Sequence, residues 1–192
     1  MSTIKVDGIR SNSASSDAIT LASDGTCTAN LTNRTNRRLT INGDFRIAQR
    51  GTSSTSNGYQ TVDRWAAYSG GHGVTVTSSQ QSTSSSDTPY QNGFSNFFRF
   101  ALSVAGTANA DAYFELVQKI EAQDIATSGW NFKSSSSSIT LSFWVRASTN
   151  QTFYGFLKTY DGTSHIYAFS FTASGNNTWT KITKTIIGDS NL

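Results

Sequence analysis

The stretch Ile139-Thr-Leu-Ser-Phe-Trp-Val-Arg146 decides the fold class. Its residues alternate: Ile139, Leu141, Phe143 and Val145 fall on one side of an extended chain, and Thr140, Ser142, Trp144 and Arg146 on the other. A period of two marks a half-buried β-strand, because successive strand side chains point to opposite faces. Working outward, the same character recurs at Phe97 to Val104, Ala112 to Ile120, Thr152 to Tyr160, His165 to Thr172 and Trp179 to Ile187, with a shorter run at Val74 to Thr77. Turn dipeptides separate the runs: Asp7-Gly8, Asp24-Gly25, Asn42-Gly43, Asn57-Gly58, Asn92-Gly93 and Asp161-Gly162. All supply residues that tolerate positive φ. Many short strands with frequent turns predict an all-β sandwich or barrel. One segment is mixed: Leu116, Ile120 and Gln123 stand at helical spacing, so a strand to about Ile120 and a helical turn after it are expected.

Composition agrees with this class. Charged residues make up 14% of the 192 positions, against roughly 25% in an average soluble protein. Ser, Thr and Asn take their place. Twelve Phe, seven Tyr and four Trp supply a core and exclude a wholly disordered chain, which would be poor in aromatics. The net charge of +3 is scattered apart from Arg34, Arg37 and Arg38. A nucleic-acid partner needs a clustered basic face, so this short cluster reads as a solvated linker and no nucleic acid is expected. Cys27 is the single cysteine, which excludes an intrachain disulfide and a Cys-rich metal site. The N-terminus lacks the apolar core of a signal peptide, and no apolar run approaches the ~20 residues of a membrane span. Folding in a cytoplasm without membrane insertion is the expectation.

A boundary falls near residues 30–40. Residues 1–35 read as an extended β arm, with a strand at Ile4 to Ile9 and a hairpin around Asp24-Gly25. Some 30 residues of β cannot bury a core alone, so the arm is expected to attach to another subunit. Residues 36–192 form the main domain. Within it, Ser78 to Thr88 and Ser134 to Ser138 are Ser-rich and read as exposed loops. The chain stops at Ile187-Gly-Asp-Ser-Asn-Leu192, directly after a strand and in turn-like sequence. The domain is therefore expected to be incomplete there, cut short or completed by a partner.

The segment Leu39-Thr-Ile-Asn-Gly-Asp-Phe-Arg-Ile-Ala-Gln-Arg-Gly51, followed by Gly58-Tyr-Gln-Thr-Val-Asp-Arg-Trp65, resembles the opening of a family of phage and prophage tail-fibre-type domains. Phe114 to Glu121, Ser138 to Ser148 and Trp179 to Gly188 resemble later segments of that family in the same order. The arm resembles, more loosely, the N-terminal attachment segments of phage fibre proteins. The resemblance implies a jelly-roll sandwich like the carbohydrate-binding modules, displayed on a virion as a homotrimer, with other virion proteins held through residues 1–35. The expected function is a structural or adhesion component of a tailed-phage particle (fibre, knob or tail-tip subunit) contacting host surface glycans, without catalysis. The competing readings are a ligand-free head or tail decoration protein, a polysaccharide-depolymerising enzyme, and a free binding module of a bacterial enzyme.

Sugar rings stack on aromatic faces while nearby polar groups fix the hydroxyls, so aromatics on outward strand positions are the glycan candidates. Trp144 lies opposite Leu141 and Phe143 on its strand. Tyr154 and Tyr160 share one face, with Lys158 between them. Trp130 and Tyr90 stand in loop-like sequence. Asn42-Gly43-Asp44-Phe45 is where related jelly rolls can place a structural calcium, but one Asn and one Asp fall short of its 6–8 oxygen ligands; no metal site is assigned. Phe45 and Ile47 are expected to enter the core. Asp63-Arg64-Trp65 reads as a packing Trp beside an Asp–Arg pair joining adjacent strands. His72 stands in a flexible Gly-rich loop, and it and His165 are too isolated for a catalytic triad. Glu115 and Glu121 would lie more than about 16 Å apart on a regular strand, beyond the roughly 5–9.5 Å of a glycosidase pair.

Overall fold

The computed structural model describes residues 6–29, 38–107, 109–160 and 162–190. The chain divides into two compact units, residues 1–37 and 38–192.

In the first unit, β1 (Gly8–Ile9), β2 (Ile19–Leu21) and β3 (Cys27–Ala29) form an antiparallel sheet in that order. The β2–β3 turn sits at Asp24-Gly25, with Gly25 at φ 85. The Thr26 hydroxyl donates to Asp24 Oδ1 at 2.7 Å and its backbone N–H at 2.9 Å. These bonds favour the ionised form, the hydroxyl most, and hold the Asp24 carboxyl below its usual range. Val6, Ile9 and Leu21 are exposed, as expected of strands too few to make a core. Residues 4 and 5 of the expected first strand, and Arg34 and Arg37 of the basic cluster, lie outside the described residues.

The second unit holds β4 (Ser53–Ser54), β5 (Trp65–Gly70), β6 (Val76–Ser82), α1 (Thr88–Gln91), β7 (Asn96–Leu102), β8 (Tyr113–Gln118), α2 (Ala122–Ser128), β9 (Ser138–Val145), β10 (Asn150–Lys158), β11 (Ile166–Ser174) and β12 (Thr180–Ile187). Every ladder is antiparallel. The pairing is nested twice over. β6 and β7 form a hairpin while the flanking β5 and β8 pair with each other; β10 and β11 form a hairpin while β9 and β12 pair. Each unit of four strands is thus a long hairpin folded over on itself. The result is an all-β, sandwich-like fold. None of the described helices is long and apolar enough to cross a membrane.

Aromatic contacts join the layers. Phe143 on β9 meets Phe171 on β11 edge-on at 5.0 Å, and Phe171 stacks on its cross-strand partner Phe153 at 5.7 Å. Phe100 on β7 lies 5.2 Å from Phe114 on β8. The Arg146 guanidinium sits 5.2 Å from the Phe97 ring and 4.8 Å from the Trp179 ring, tying the two four-strand units together. Such pairs each contribute about 0.5–1.5 kcal/mol beyond simple burial. Among the described residues the buried apolar side chains are few: Val62, Ala66, Ala67, Ala173 and Ile186, with Pro89 in α1.

Several expectations are corrected here. Ser78 to Thr88 is not one exposed loop, because its first part is β6, the middle strand of β4–β6–β7, and the shorter strand expected at Val74 to Thr77 begins at Val76 and runs on to Ser82. Ser78 and Ser79 are buried; the Ser78 hydroxyl donates to the Ser54 carbonyl at 3.1 Å and Gln80 Nε2 to the Arg46 carbonyl at 3.0 Å. Small hydroxyl side chains fit between close strands and find backbone acceptors there. His72 does not lie in an open loop. It is buried, stacked on Phe114 at 4.1 Å, and its Nε2 donates to the Tyr113 carbonyl at 2.9 Å. Asp63 and Arg64 do not pair: Asp63 Oδ1 accepts the Gln49 N–H at 3.0 Å, and Arg64 reaches Glu121 at 3.1 Å. Arg64 is at φ 73, in the left-handed region. Phe45 packs against Trp65 and Phe98 as expected, but Ile47 is exposed. Its backbone, not its side chain, is what the fold uses: Asn42, in the left-handed region at φ 54, accepts from the Ile47 N–H and donates to the carbonyls of Ile47 and Asp63. Asn tolerates that conformation better than other non-glycine residues. Tyr90 lies in α1 rather than in a loop.

Candidate functional site

The hairpin β10–β11 presents two unlike faces. Its register pairs Phe153 with Phe171, Gly155 with Phe169 and Leu157 with Tyr167 on the inner side. The outer side pairs Thr152 with Thr172, Tyr154 with Ser170, Phe156 with Ala168 and Lys158 with Ile166. The inner rings leave no space above Gly155, where a Cβ would overlap the Phe169 ring. An aromatic laid over a strand glycine pins register and shields the backbone. The outer face is therefore held in one unbroken register.

On that face Tyr154 is 79% exposed and Phe156 44%; Tyr160, two residues past the end of β10, is 75% exposed. Ile166 beside Lys158 is 61% exposed. Their cross-strand neighbours Ser170 and Ala168 are small, so the Tyr154 and Phe156 rings have no bulky side chain across from them. The Lys158 ammonium lies 4.8 Å from the Tyr160 ring centroid, within cation–π range. Thr152 and Thr172 hydroxyls, 3.2 Å apart, add a polar end to the strip. Contiguous exposed apolar surface rimmed by polar groups marks an interaction site.

The fold brings together Tyr154, Lys158 and Tyr160, and adds Phe156 and Ile166, which the sequence reading passed over. The signal for Phe156 was present, since positions 152, 154, 156, 158 and 160 share one parity on a strand. Trp144 and Trp130 are elsewhere. Trp144 is half-buried on β9, opposite Lys181, whose ammonium lies 6.0 Å from the indole. Trp130 follows α2, half-buried beside Phe132 at 6.2 Å, with its ring N–H buried. At the opening turn, the Asn42 amide is engaged with backbone and Asp44 pairs with Arg46 at 2.7 Å. These oxygens serve the turn itself. Asp161, of the turn after Tyr160, lies outside the described residues.

A separate cleft of about 660 Å³ runs along Asn57, Ser69, His72 and Val74. Asn57 is occupied there in pairing with the Ser69 backbone, donating to its carbonyl and accepting its N–H. The cleft offers glycine and hydroxyl surface but no aromatic face, and His72 is turned into Phe114.

Fold and face together define a β-sandwich module with an open aromatic strip on one hairpin. Comparison with known proteins finds no matching family model, no matching curated protein and no matching solved structure.

Proposed function

We propose that this chain is a non-catalytic structural and adhesion component of a tailed-phage particle, and that the outer face of β10–β11 contacts glycans of the host surface. The observation that carries the binding part is the line of exposed rings at Tyr154, Phe156 and Tyr160, flanked by an ammonium and hydroxyls. Such rings stack on the apolar faces of sugars while the flanking groups meet hydroxyls. The virion assignment rests on the ordered resemblance across residues 39–190, and the jelly-roll reading on that resemblance with the nested strand pairing. The non-catalytic part is supported by where carboxylates are spent: Asp44 on Arg46, Glu121 on Arg64, Asp63 on the Gln49 N–H and Asp87 on the Ser84 N–H.

Replacing Tyr160 by Ala is expected to weaken binding to the glycans selected on an array by about tenfold, the effect of losing one well-placed aromatic anchor. The melting temperature should stay unchanged, because the ring is largely in solvent. Unaltered binding by this variant and by Tyr154→Ala would remove the face from consideration. The assembly part of the proposal has residues 1–35 holding the chain in a homotrimer and against other virion proteins. Light scattering of the full chain should then give three times the 20.7 kDa chain mass, persisting on dilution. A stable monomer would leave a decoration protein docked on another component.

A further inference from the structure

We infer that the β10–β11 face selects an extended acidic polysaccharide, one whose sugar rings carry an anionic group, and that Lys158 is the residue that reads the anion. This rests on the glycan-binding reading above and deepens it.

Two features of the face choose the ligand. The first is shape. The strip lies along an exposed two-stranded ladder. Tyr154 and Lys158 are four residues apart, about 13 Å along a strand at 3.3 Å per residue. A single sugar cannot touch both ends, and an open surface suits the interior of a chain better than its terminus. The second is charge. Lys158 makes no ion pair among the described residues; its contact there is the Tyr160 ring. Elsewhere in this unit Arg46 and Arg64 each hold a carboxylate and Arg146 is clamped between two rings; Lys133 and Lys181 also lie over rings, but away from the exposed strip. Among the described residues the Lys158 ammonium thus holds no carboxylate, and it can take an anion while the ring steadies its position. It lies 4.8 Å from the centroid of the Tyr160 ring, beside the surface on which a sugar would stack. An ammonium is a point charge without the fork geometry that sorts one oxyanion from another, so carboxylate and sulfate are both within the inference.

The test uses the full chain and four probes: tetragalacturonate, the neutral tetragalactose of the same linkage, a sulfated galactan tetramer, and galacturonic acid monomer. Titration calorimetry at low salt should show at least one acidic tetramer binding about threefold to fivefold more tightly than the neutral one, the range of an exposed charge pair, and the monomer far more weakly. The responding arm identifies the anion. Lys158→Gln should bring acidic and neutral tetramers to equal affinity, and added salt should erode the preference in the wild-type chain. Equal binding of acidic and neutral tetramers would overturn the acidic selectivity and leave glycan binding standing. A preference that survives Lys158→Gln would overturn the role of Lys158. No binding by any tetramer would overturn the inference together with the reading beneath it.

Discussion

Replacing Ile186 by Ala is expected to lower the unfolding free energy by about 2–5 kcal/mol, the usual cost of truncating a buried isoleucine. Ile186 is the largest fully buried side chain together with Val62, at 0% exposure. It lies opposite Ile139 in the β9–β12 ladder. Buried apolar residues elsewhere are few, namely Val62, three alanines and Pro89 among the described residues. A loss at this position therefore falls on a thin core with few neighbours able to refill it. Against a total stability of about 5–15 kcal/mol for an ordinary domain, that is a large share. All four tryptophans belong to residues 38–192, so urea unfolding followed by their fluorescence reports on this unit alone. Ile186→Val, which keeps most of the volume, should cost only about 0.5–1.5 kcal/mol. A midpoint for Ile186→Ala no lower than that of the valine variant would mean that Ile186 is not enclosed in solution.

Replacing Gly155 by Val should act on both stability and binding. A side chain there has no room: its first carbon would already overlap the Phe169 ring. Phe169 cannot simply yield, because it packs beside Phe171, itself set between Phe153 and Phe143. Overpacking of this kind costs about 1–3 kcal/mol. The strain falls on the strand whose opposite side carries Tyr154, Phe156 and Lys158. Glycan affinity is therefore expected to fall with stability, although the mutated position faces away from the ligand. Thr152→Ser, on the outer side and in the same strand, serves as the control that leaves the inner packing alone. Stability equal to wild type in Gly155→Val would show that the inner rings are not closed over the strand.

These two positions differ in how they can be read. Ile186 follows from local pattern: Trp179 to Ile187 alternates, and its apolar side turns inward as expected of a half-buried strand. The strands at β7 to β12 were legible for that reason. Gly155 carries no such message, since a lone strand glycine signals only a bulge or a close approach. What lies over it comes from the partner strand.

The limits of the sequence have the same origin. The strand expected at Val74 to Thr77 catches only the start of β6; from Ser78 to Ser82 there is hardly any apolar period, so the strand character of that part is invisible locally. It becomes the middle of a sheet because Ser53–Ser54 and Asn96–Leu102 flank it and take up its backbone groups. Buried serines there obey the need for close approach, not for hydrophobicity. His72 likewise reads as loop from its glycine neighbours, yet Phe114, 42 positions later, provides the ring it stacks on.

The sequence by itself determined the class of fold, the parity that puts Tyr154, Phe156, Lys158 and Tyr160 on one side of a strand, and the frequent turns that make each strand short. Those properties depend on residues within a few positions of one another. Tertiary structure alone decided which side faces out. Phe171 meets Phe143 across the layers, and that contact commits the Phe153 side of the hairpin to the interior. The opposite side, with its tyrosines and Lys158, is left to solvent because nothing among the described residues covers it. Parity is a property of the chain, whereas inside and outside exist only once two sheets have met.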